Sequence, residues 1–569
     1  MPEKRQKKHN RKRWVLGIIA VIILLLITGF HFAIQVNPPV PDDLTSLSLK
    51  VSNPENDFYT CGNNWLKKNN SGLWELYIEG KPFERGVING KLTKGLIEKQ
   101  EEAFTGRIRE LVPSPFYIRF LKYFIYWFNR NLDQYIPEEY KLEIYGISFS
   151  ASDKFAFIGS NYQRMLNFHS AHDIGHALQN MGLVGCTSFG VWGDKSMNGT
   201  LLVGRNFDFY VGDAFAENKL VSFEKPDKGY PFMMIGWASM TGVMSGMNDR
   251  GLTVTINAAR SDIPYSARTP ISILAREILQ YAKNIGEACE IAEKSETFVS
   301  ESILIGSAED NKAVIIEKSP SLIGFTEPKA NYIICANHFQ SPVFFNDPKN
   351  RRDRQENASV YRYHKVLDDI TDEQPLDAKK MATILRDRSG MNNKDIGMGN
   401  EKAINQLIAH HSVIFDPSRR LAWVSTDPWQ LGSYVCYDLN KIFHTFAGLQ
   451  RKVEITEQDK ILPADPFLGS DDYWHFLRFR QMRKVIKTVT QSSEILTLPP
   501  SFISEFILTN PEYFEVYSVS GDYYKHINRP DSGLIYYRRA LRKEIPRWSE
   551  KKKIIEKMSS CILETKRLK

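Results

Sequence analysis

Residues 185–209, GCTSFGVWGDKSMNGTLLVGRNFDF, contain the side chains best suited to chemistry: Cys186 directly follows Gly185, and Arg205 and Asp208 come shortly after. A thiol with its ordinary pKa of about 8.5 is little ionised at neutral pH, so a nucleophilic cysteine needs a base or a cation beside it. Cleavage of the Gly185–Cys186 bond would free the α-amino group of Cys186, whose pKa of about 7.7 to 8.0 suits removal of the thiol proton. Glycine before the cysteine is expected to give the backbone the freedom that the attack requires. The pattern predicts a self-cleaving amide hydrolase, although a Gly-Cys pair alone is also typical of a buried strand cysteine.

A second cluster of potential ligands precedes the cysteine. His169, His172, Asp173 and His176 fall on one face of a predicted helix, and three imidazoles with a carboxylate could bind zinc. A zinc-dependent hydrolase is therefore the alternative prediction. Adjacent turns of one helix rarely close a tetrahedral site, and the sequence offers no supporting carboxylate. We interpret the helix as packing near the cleavage point, and the main prediction includes no metal and no cofactor.

The amino terminus predicts a membrane location. Residues 1–13 contain seven Lys or Arg and one Glu, which supplies +6 of the net charge of +8, so the basicity does not indicate nucleic-acid binding. Residues 14–34 are an apolar run long enough for a helix to cross a bilayer core of about 30 Å. The positive-inside rule places the basic segment in the cytoplasm and the rest outside, in the periplasm if the source is bacterial. We predict an uncleaved, single-pass signal anchor, with a cleaved signal as the alternative.

The segments GCTSF and GRNFDF, followed in order by GMNDRGLTVTINAAR, IICANHFQSP and SVYRYHKVLDDI, resemble a group of cysteine amidohydrolases with an amino-terminal nucleophile (Ntn hydrolases). This group includes penicillin acyltransferase, acid ceramidase and the choloylglycine hydrolases, and the acyltransferase branch is the most similar. The resemblance spans residues 74–439. It implies an α+β fold in which two sheets lie between two helix layers, a four-layer αββα sandwich, and an enzyme that acts on a small amide or acyl substrate.

The resemblance also assigns roles to residues. It makes Cys186 the nucleophile and, after cleavage, its amino group the base. Asp208 would orient that amine, and its carboxylate would stabilise the protonated form. Arg205 would set the electrostatics of the pocket.

Three later residues match polar positions of the same group. Asn257, in TINAAR, matches the asparagine that donates to the oxyanion. Asn337, in CANH, matches a second asparagine near the nucleophile, and Arg362, in SVYRY, matches a later arginine. Asn248, in GMNDRG, is interpreted as part of a tight hairpin turn instead.

These observations divide the chain into seven segments. They are a basic cytoplasmic segment (1–13), a transmembrane signal anchor (14–34), a stalk (35–50), a propeptide-like region (51–185), the catalytic core (186–440), a linker (441–472) and a helical, weakly tetratricopeptide-like extension (473–569). After cleavage the two chains are expected to stay associated. A further helix at residues 116–135 is dense in aromatic side chains, which indicates core packing, membrane-proximal packing or a lipid-like substrate.

A third functional class, besides the cysteine amidase and the zinc hydrolase, is a non-catalytic, membrane-anchored scaffold that acts through its helical tail.

Overall fold

The protein is described here from a computed structural model, which covers residues 3–111, 114–169, 184–260, 267–373 and 375–568. The region before Cys186 contains helices and strands in the order α1 (Glu3–Ala33), β1 (Ser52–Glu55), β2 (Phe58–Cys61), β3 (Asn64–Lys68), β4 (Trp74–Gly80), α2 (Pro82–Leu111), α3 (Pro115–Phe128), α4 (Glu138–Ser148) and α5 (Asn161–His169).

The central region begins with β5, which carries Cys186. Its elements are β5 (Val184–Gly193), β6 (Gly199–Phe209), α6 (Asp213–Ala216), β7 (Leu220–Pro226), β8 (Phe232–Gly236), β9 (Ser245–Asn248), β10 (Leu252–Ala258), α7 (Ile271–Tyr281), α8 (Ile285–Lys294), β11 (Glu301–Ser307), β12 (Lys312–Lys318), β13 (Ile323–Thr326), β14 (Tyr332–Cys335), α9 (Pro342–Phe345), α10 (Pro348–Glu356), α11 (Ser359–Glu373), α12 (Ala378–Leu385), β15 (His411–Asp416), β16 (Leu421–Ser425), β17 (Tyr434–Asp438) and α13 (Leu439–Thr445). The carboxyl-terminal part is helical, with α14 (Asp471–Gln491), α15 (Phe502–Leu508), α16 (Phe514–His526), α17 (Pro530–Ala540) and α18 (Trp548–Leu568).

The strands form two sheets. The larger sheet has eleven strands in the order β1-β2-β3-β4-β7-β8-β9-β10-β11-β12-β13, and the smaller has six in the order β14-β5-β6-β15-β16-β17. Neighbours are antiparallel except β4 and β7, whose parallel pairing runs from Trp74 opposite Leu220 to Gly80 opposite Pro226. The region before Cys186 therefore supplies four strands to the sheet that the central region completes.

Three apolar cores separate four layers. Val221 and Phe223 of the large sheet pack against Val203 and Val413 of the small sheet in the central core. The outer face of the large sheet packs on α7 and α8, and the outer face of the small sheet packs on α11 and α12. Successive side chains of a strand point to opposite faces, so strands that are buried along their whole length, such as β8 and β11, give the sheet two buried faces. The structure thus has the α+β layering, helix–sheet–sheet–helix, that the resemblance implied.

Helix α1 contains the apolar run. Residues Arg13–Ala33 are long and apolar enough to cross a membrane, with a mean hydropathy of 2.7, and none of this stretch is buried in the protein. Immediately after it, Ile34 is buried and its carbonyl oxygen accepts a hydrogen bond from Gln163 Nε2 at 2.7 Å. The ammonium of Lys91 donates to the carbonyls of Leu47 and Leu49 at 2.6 and 2.5 Å. The segment predicted to be a stalk therefore lies along the body instead of holding it at a distance.

The carboxyl-terminal helices pack on the central region as a cap. Trp429 and Leu431 of the central region share one core with Phe476, Phe479 and other residues of the cap. The residues predicted to form a linker also lie on the body, because Leu462 exchanges backbone hydrogen bonds with Tyr434 at the edge of the small sheet. We therefore refer to α14–α18 as the cap below.

Candidate active site

Strands β5 and β6 form a hairpin that holds the predicted nucleophile. The hairpin closes between Gly193 and Gly199, both at positive φ values that favour glycine. In its register Cys186 faces Phe207 and Gly185 faces Asp208. Cys186 and Asp208 are both fully buried, so the site lies inside the protein.

Arg205 lies beside the cysteine thiol. Its Nη2 lies 3.7 Å from Cys186 Sγ, and its other bonds go to the carbonyls of Met244 and Ile256 and to the hydroxyl of Ser245. Burial raises the pKa of the Cys186 thiol to about 11, and the Arg205 charge opposes that rise. In the uncut chain the cysteine is therefore a neutral thiol at neutral pH, and it needs a further base to act as a nucleophile.

The backbone nitrogen of Cys186 is held by a side chain from the loop that follows β14. It donates to Asn337 Oδ1 at 3.0 Å, and the same oxygen accepts a hydrogen bond from Arg362 Nη2. Asn337 is itself fixed, since its Nδ2 donates to the Ala258 carbonyl at 3.0 Å and its backbone N–H donates to Ser359 Oγ at 2.7 Å. The structure thus brings Asn337 and Arg362, as well as Arg205 and Asp208, to the Gly185–Cys186 bond.

Asp208 lies beside this bond and is held by a residue that sequence reasoning missed. Gln406 Nε2 donates to Asp208 Oδ2 at 3.1 Å, while Oδ1 has no hydrogen-bond partner in the part of the chain that the structure describes. Burial raises the pKa of the Asp208 carboxyl to about 8, although Arg362 and Arg205 favour its ionised form. A carboxyl this poorly solvated is ready to pair with a cation placed next to it. No motif around Gln406 in the sequence indicates this role.

Glycine at position 185 leaves room for a neighbouring side chain, which is a different reason from the one that the sequence suggests. Its φ is not positive, because the residue lies in a regular strand. A Cβ at this position would instead lie 2.8 Å from Gln406 Nε2. Because Gly185 has no side chain, the Gln406 amide can lie over its backbone and reach Asp208.

We expect Gly185→Val to slow cleavage of the Gly185–Cys186 bond about fivefold, since the new side chain displaces Gln406 from Asp208 and one neutral hydrogen bond contributes about 0.5 to 1.5 kcal/mol. The fraction of cut chain is measured against time by gel or intact mass. Gly190→Ala is the matched control, because it lies on the same strand and its Cβ would meet its nearest neighbour at an ordinary 3.4 Å. Equal cleavage rates in the two variants would contradict this explanation.

Asn257 is close to the nucleophile's strand but has no free donor in the uncut chain. Its Nδ2 donates to the carbonyls of Cys335 and Ala336 at 2.8 and 3.3 Å, and its Oδ1 accepts from Ser188 Oγ at 2.7 Å.

Asn248 stabilises the turn between β9 and β10, since its side chain makes hydrogen bonds with four backbone groups in and near this turn. The structural interpretation of Asn248 is confirmed.

Of the predicted histidine cluster, only His169 lies among the described residues. His169 is buried, its Nδ1 bonds the Met165 carbonyl at 2.8 Å, and its Nε2 accepts from the Thr241 N–H at 2.8 Å. Burial lowers the pKa of His169 to about 4, so the ring is neutral and both of its nitrogens are used. His172, Asp173 and His176 lie outside the described residues, and no group of three metal-ligating side chains occurs among the described ones.

Two adjacent histidines extend the hydrogen-bond network of Arg205. Ser245 Oγ accepts from Arg205 and also lies within hydrogen-bond distance of His411 Nε2, at 2.7 Å. Burial keeps the pKa of His411 well below its ordinary value, so the ring is neutral, and its Nδ1 shares a hydrogen bond with His410 Nδ1 at 2.9 Å. The chain of bonds fixes Ser245 against Arg205. Both histidines stand at the start of a strand, where the sequence carries no distinctive motif.

A small aromatic pocket lies next to the hairpin. It is lined by Gln100, Glu101, Phe104, Phe168, Phe209, Phe215, Trp237 and Ser239, and its volume is about 20 Å³. That is room for one water molecule, so in this state the pocket is closed. Phe104 and Phe168 belong to the region before Cys186, whereas the remaining aromatic rings belong to the region after it.

The cap holds the loop that supplies Gln406. Arg547 of the cap pairs with Glu401 of the loop, Nε to Oε2 at 2.6 Å, and the Glu401 carbonyl accepts from Arg362 Nη1 at 2.8 Å. Glu544 of the cap pairs with Lys402 at 2.7 Å. A continuous chain of contacts therefore joins the cap, through the loop and Arg362, to the backbone nitrogen of Cys186.

Replacing Arg547 by alanine is expected to slow cleavage about fivefold, because a half-buried ion pair of this kind contributes about 1 kcal/mol to holding the loop. Cleavage is followed by intact mass at several times after synthesis. Arg478→Ala, which removes an exposed pair with Glu505 inside the cap, is the control and should leave the rate unchanged. If both substitutions act alike, the cap influences stability only.

Comparison with known proteins relates the region that surrounds this site to one family. The family model described as acyl-coenzyme A:6-aminopenicillanic acid acyl-transferase matches residues 195–428. The match covers less than half of the chain, and the central region is similar to that family. The chain is an enzyme of the acyltransferase and amide-hydrolase class. The acyltransferase match includes Arg205, Asp208, Asn257, Asn337 and Arg362, and it begins nine residues after Cys186.

Individual relatives are distant. An uncharacterized protein of Archaeoglobus fulgidus is 21% identical over 440 residues, which cover 69% of this chain and 70% of that protein. Protein dcd1B of Dictyostelium discoideum is 25% identical over 272 residues, which cover 44% of this chain and 51% of that protein. Among solved structures, the Caenorhabditis elegans ortholog of N-acylethanolamine-hydrolyzing acid amidase is 16% identical and has a TM-score of 0.31, with 41% of this chain and 93% of that chain covered. A mutant conjugated bile acid hydrolase from Clostridium perfringens is 13% identical with a TM-score of 0.32, and covers 48% of this chain and 96% of its own.

Proposed function

We propose that this protein is a membrane-anchored cysteine amidohydrolase or acyltransferase, with Cys186 as nucleophile, that activates itself by cleaving the Gly185–Cys186 bond. The observation that carries the proposal is the environment of the Cys186 backbone nitrogen. This nitrogen already has an acceptor in Asn337 Oδ1 at 3.0 Å, and the buried Asp208 faces the preceding residue across the strand pair. An ordinary peptide nitrogen needs no carboxylate beside it, but a newly formed ammonium does.

Self-cleavage is a transfer of the acyl group from nitrogen to sulfur. The Cys186 thiol attacks the carbonyl carbon of Gly185, the C–N bond breaks, and the thiol proton passes to the nitrogen that becomes the α-amine. Water then hydrolyses the thioester, which leaves a carboxylate on Gly185 and restores the thiol. The products are chains 1–185 and 186–569.

In turnover the new amine takes the thiol proton, and the sulfur attacks the amide or thioester carbonyl of the substrate. The leaving group takes the proton, and a thioester acyl-enzyme forms. Water or an acceptor amine resolves it, which gives hydrolysis or acyl transfer. Asp208 pairs with the ammonium, Arg205 lowers the pKa of the thiol, and Asn257 donates to the oxyanion once its amide turns away from the carbonyls it bonds in the uncut chain.

The aromatic pocket supports an apolar acyl group as the part of the substrate that is recognised. Phe209, Phe215 and Trp237 surround it, with ring centroids 5.0 to 6.2 Å apart. Phe104 and Phe168 close it from the region before the cut, so a shift of that region after cleavage would open the pocket to substrate.

Anchoring by residues 14–34 would place the body outside the cytoplasm, with residues 1–13 inside. The two products would remain associated, because β4 of the first pairs with β7 of the second over seven residue pairs in the middle of the large sheet. The second product would thereby stay at the membrane.

The experiment that tests the proposal is intact mass of the purified protein, combined with amino-terminal sequencing. Two fragments that divide between Gly185 and Cys186, together with activity on an N-acyl amide, are the expected result. A single chain without amidase activity would refute it. Activity that disappears with a chelator and returns with zinc would instead favour the metal-dependent alternative.

A further inference from the structure

Helix α3 exposes an unusual aromatic surface. Phe116 and Phe120 are 82% and 62% exposed, and the exposed aromatic side chains that the structure describes on this helix are Phe116, Tyr117, Phe120, Tyr123, Phe124 and Trp127. Phe116, Phe120 and Phe124 recur every four residues, so they lie on one face of the helix. A contiguous exposed apolar face of this kind marks an interaction surface, because scattered exposed residues would not align.

The helix is fixed to the body by its other side. Tyr126 is buried and its hydroxyl donates to the Ile158 carbonyl, while Lys122 Nζ donates to the Phe157 carbonyl at 2.8 Å. The side of the helix that faces the body is therefore held by Tyr126 and Lys122, and the aromatic face points outward.

The position of α3 identifies its partner. Phe30, in the last turn of the apolar stretch Arg13–Ala33, stacks on Trp127 with ring centroids 5.5 Å apart and also contacts Tyr123 at 6.3 Å. Just beyond, Gln163 holds the Ile34 carbonyl, so this end of α1 is attached to the body. If α1 crosses the bilayer, α3 lies at the level where the span leaves it.

The composition of α3 fits this level. Aromatic residues with polar edges, such as Tyr and Trp, are enriched at membrane interfaces. Besides Lys122, which bonds the body, residues 114–130 contain Arg119 and Arg130 and no Asp or Glu. A basic, aromatic helix is attracted to anionic headgroups while its apolar face enters the acyl boundary.

We propose that α3 is an interfacial helix that lies in the outer leaflet beside the anchor, with Phe116, Phe120 and Phe124 toward the acyl chains. It gives the enzyme a second contact with the bilayer and fixes the orientation of the body on the membrane. This proposal rests on the proposed membrane anchoring.

The test uses the full chain reconstituted into vesicles of phosphatidylcholine and phosphatidylglycerol. Phe120→Cys and Phe124→Cys are labelled with a water-soluble maleimide, and the modified peptides are quantified by mass spectrometry. Met197→Cys, at an exposed position in the β5–β6 turn, is the matched control. Exposed positions are chosen so that folding is preserved. We expect labelling at positions 120 and 124 to be at least about fivefold slower than at position 197 in vesicles.

The outcomes separate the two proposals. Protein that resists a carbonate wash but is labelled equally fast at positions 120 and 197 keeps the anchor and overturns the interfacial helix. Protein that does not sediment with vesicles overturns both. Protection that increases with the density of protein in the vesicle at constant lipid composition indicates that a second copy of the chain covers α3, and it also overturns the proposal.

Discussion

Cys186→Ala is expected to give a single uncut chain and to reduce amidase activity at least about ten-thousandfold, because the nucleophile of both self-cleavage and turnover is removed. Intact mass and the rate of release of an amine from an N-acyl amide measure the two effects. The substitution removes one sulfur from a fully buried position, so the protein should fold. Loss of cleavage then reports chemistry and not unfolding.

Two further variants sharpen this result. Cys186→Ser keeps a weaker nucleophile in the same place, and we expect it to be cut slowly or incompletely and to show little turnover. Cys436→Ala is the matched control, since Cys436 is equally buried but lies on β17 at the edge of the small sheet. A wild-type level of cleavage in Cys186→Ala, or a loss of cleavage in Cys436→Ala, would contradict the assignment.

Asp208→Asn is expected to reduce activity at least about a hundredfold and yet to stabilise the uncut protein. Activity falls because the amide cannot neutralise the ammonium of Cys186. Stability rises because burial lifts the pKa of the Asp208 carboxyl to about 8, far above the value of about 3.9 in an unfolded chain.

The direction of the pH dependence follows from this shift. Between about pH 4 and pH 8 the folded state holds a proton on Asp208 that the unfolded state has released, so the free energy of unfolding decreases as the pH rises. Asparagine does not titrate. The difference in the free energy of unfolding between Asp208→Asn and the parent should therefore grow from pH 4 to pH 8, to at least about 2 kcal/mol.

Denaturant unfolding in the Cys186→Ala background measures this difference, because both proteins then remain uncut. Asp194→Asn serves as the control, since it makes the same substitution at an exposed surface position. A constant difference across the pH range, or a less stable Asp208→Asn protein, would show that the carboxyl is ionised in the uncut chain.

The sequence by itself determined the local features of this protein. The apolar run of residues 14–34 predicted α1, and the GMNDRG segment predicted the turn that Asn248 stabilises. The hairpin that carries Cys186, Arg205 and Asp208 is also local, since its strands are neighbours in the chain and its turn is set by glycines. Such features follow from periodicity and turn chemistry, which a short window of sequence contains.

Only the tertiary structure decided how the site is completed. Asn337 reaches the Cys186 nitrogen across 151 residues, and Gln406 reaches Asp208 across 198. The family resemblance predicted Asn337, but nothing in the sequence predicted Gln406. The contact between Gln406 and the Gly185 backbone, which explains the glycine, is visible only in the tertiary structure. The stalk segment rests on the body, and His169 bonds backbone groups, for the same reason. Partners of buried polar groups are chosen by the packing of distant segments, and single-sequence patterns carry no information about which segments meet.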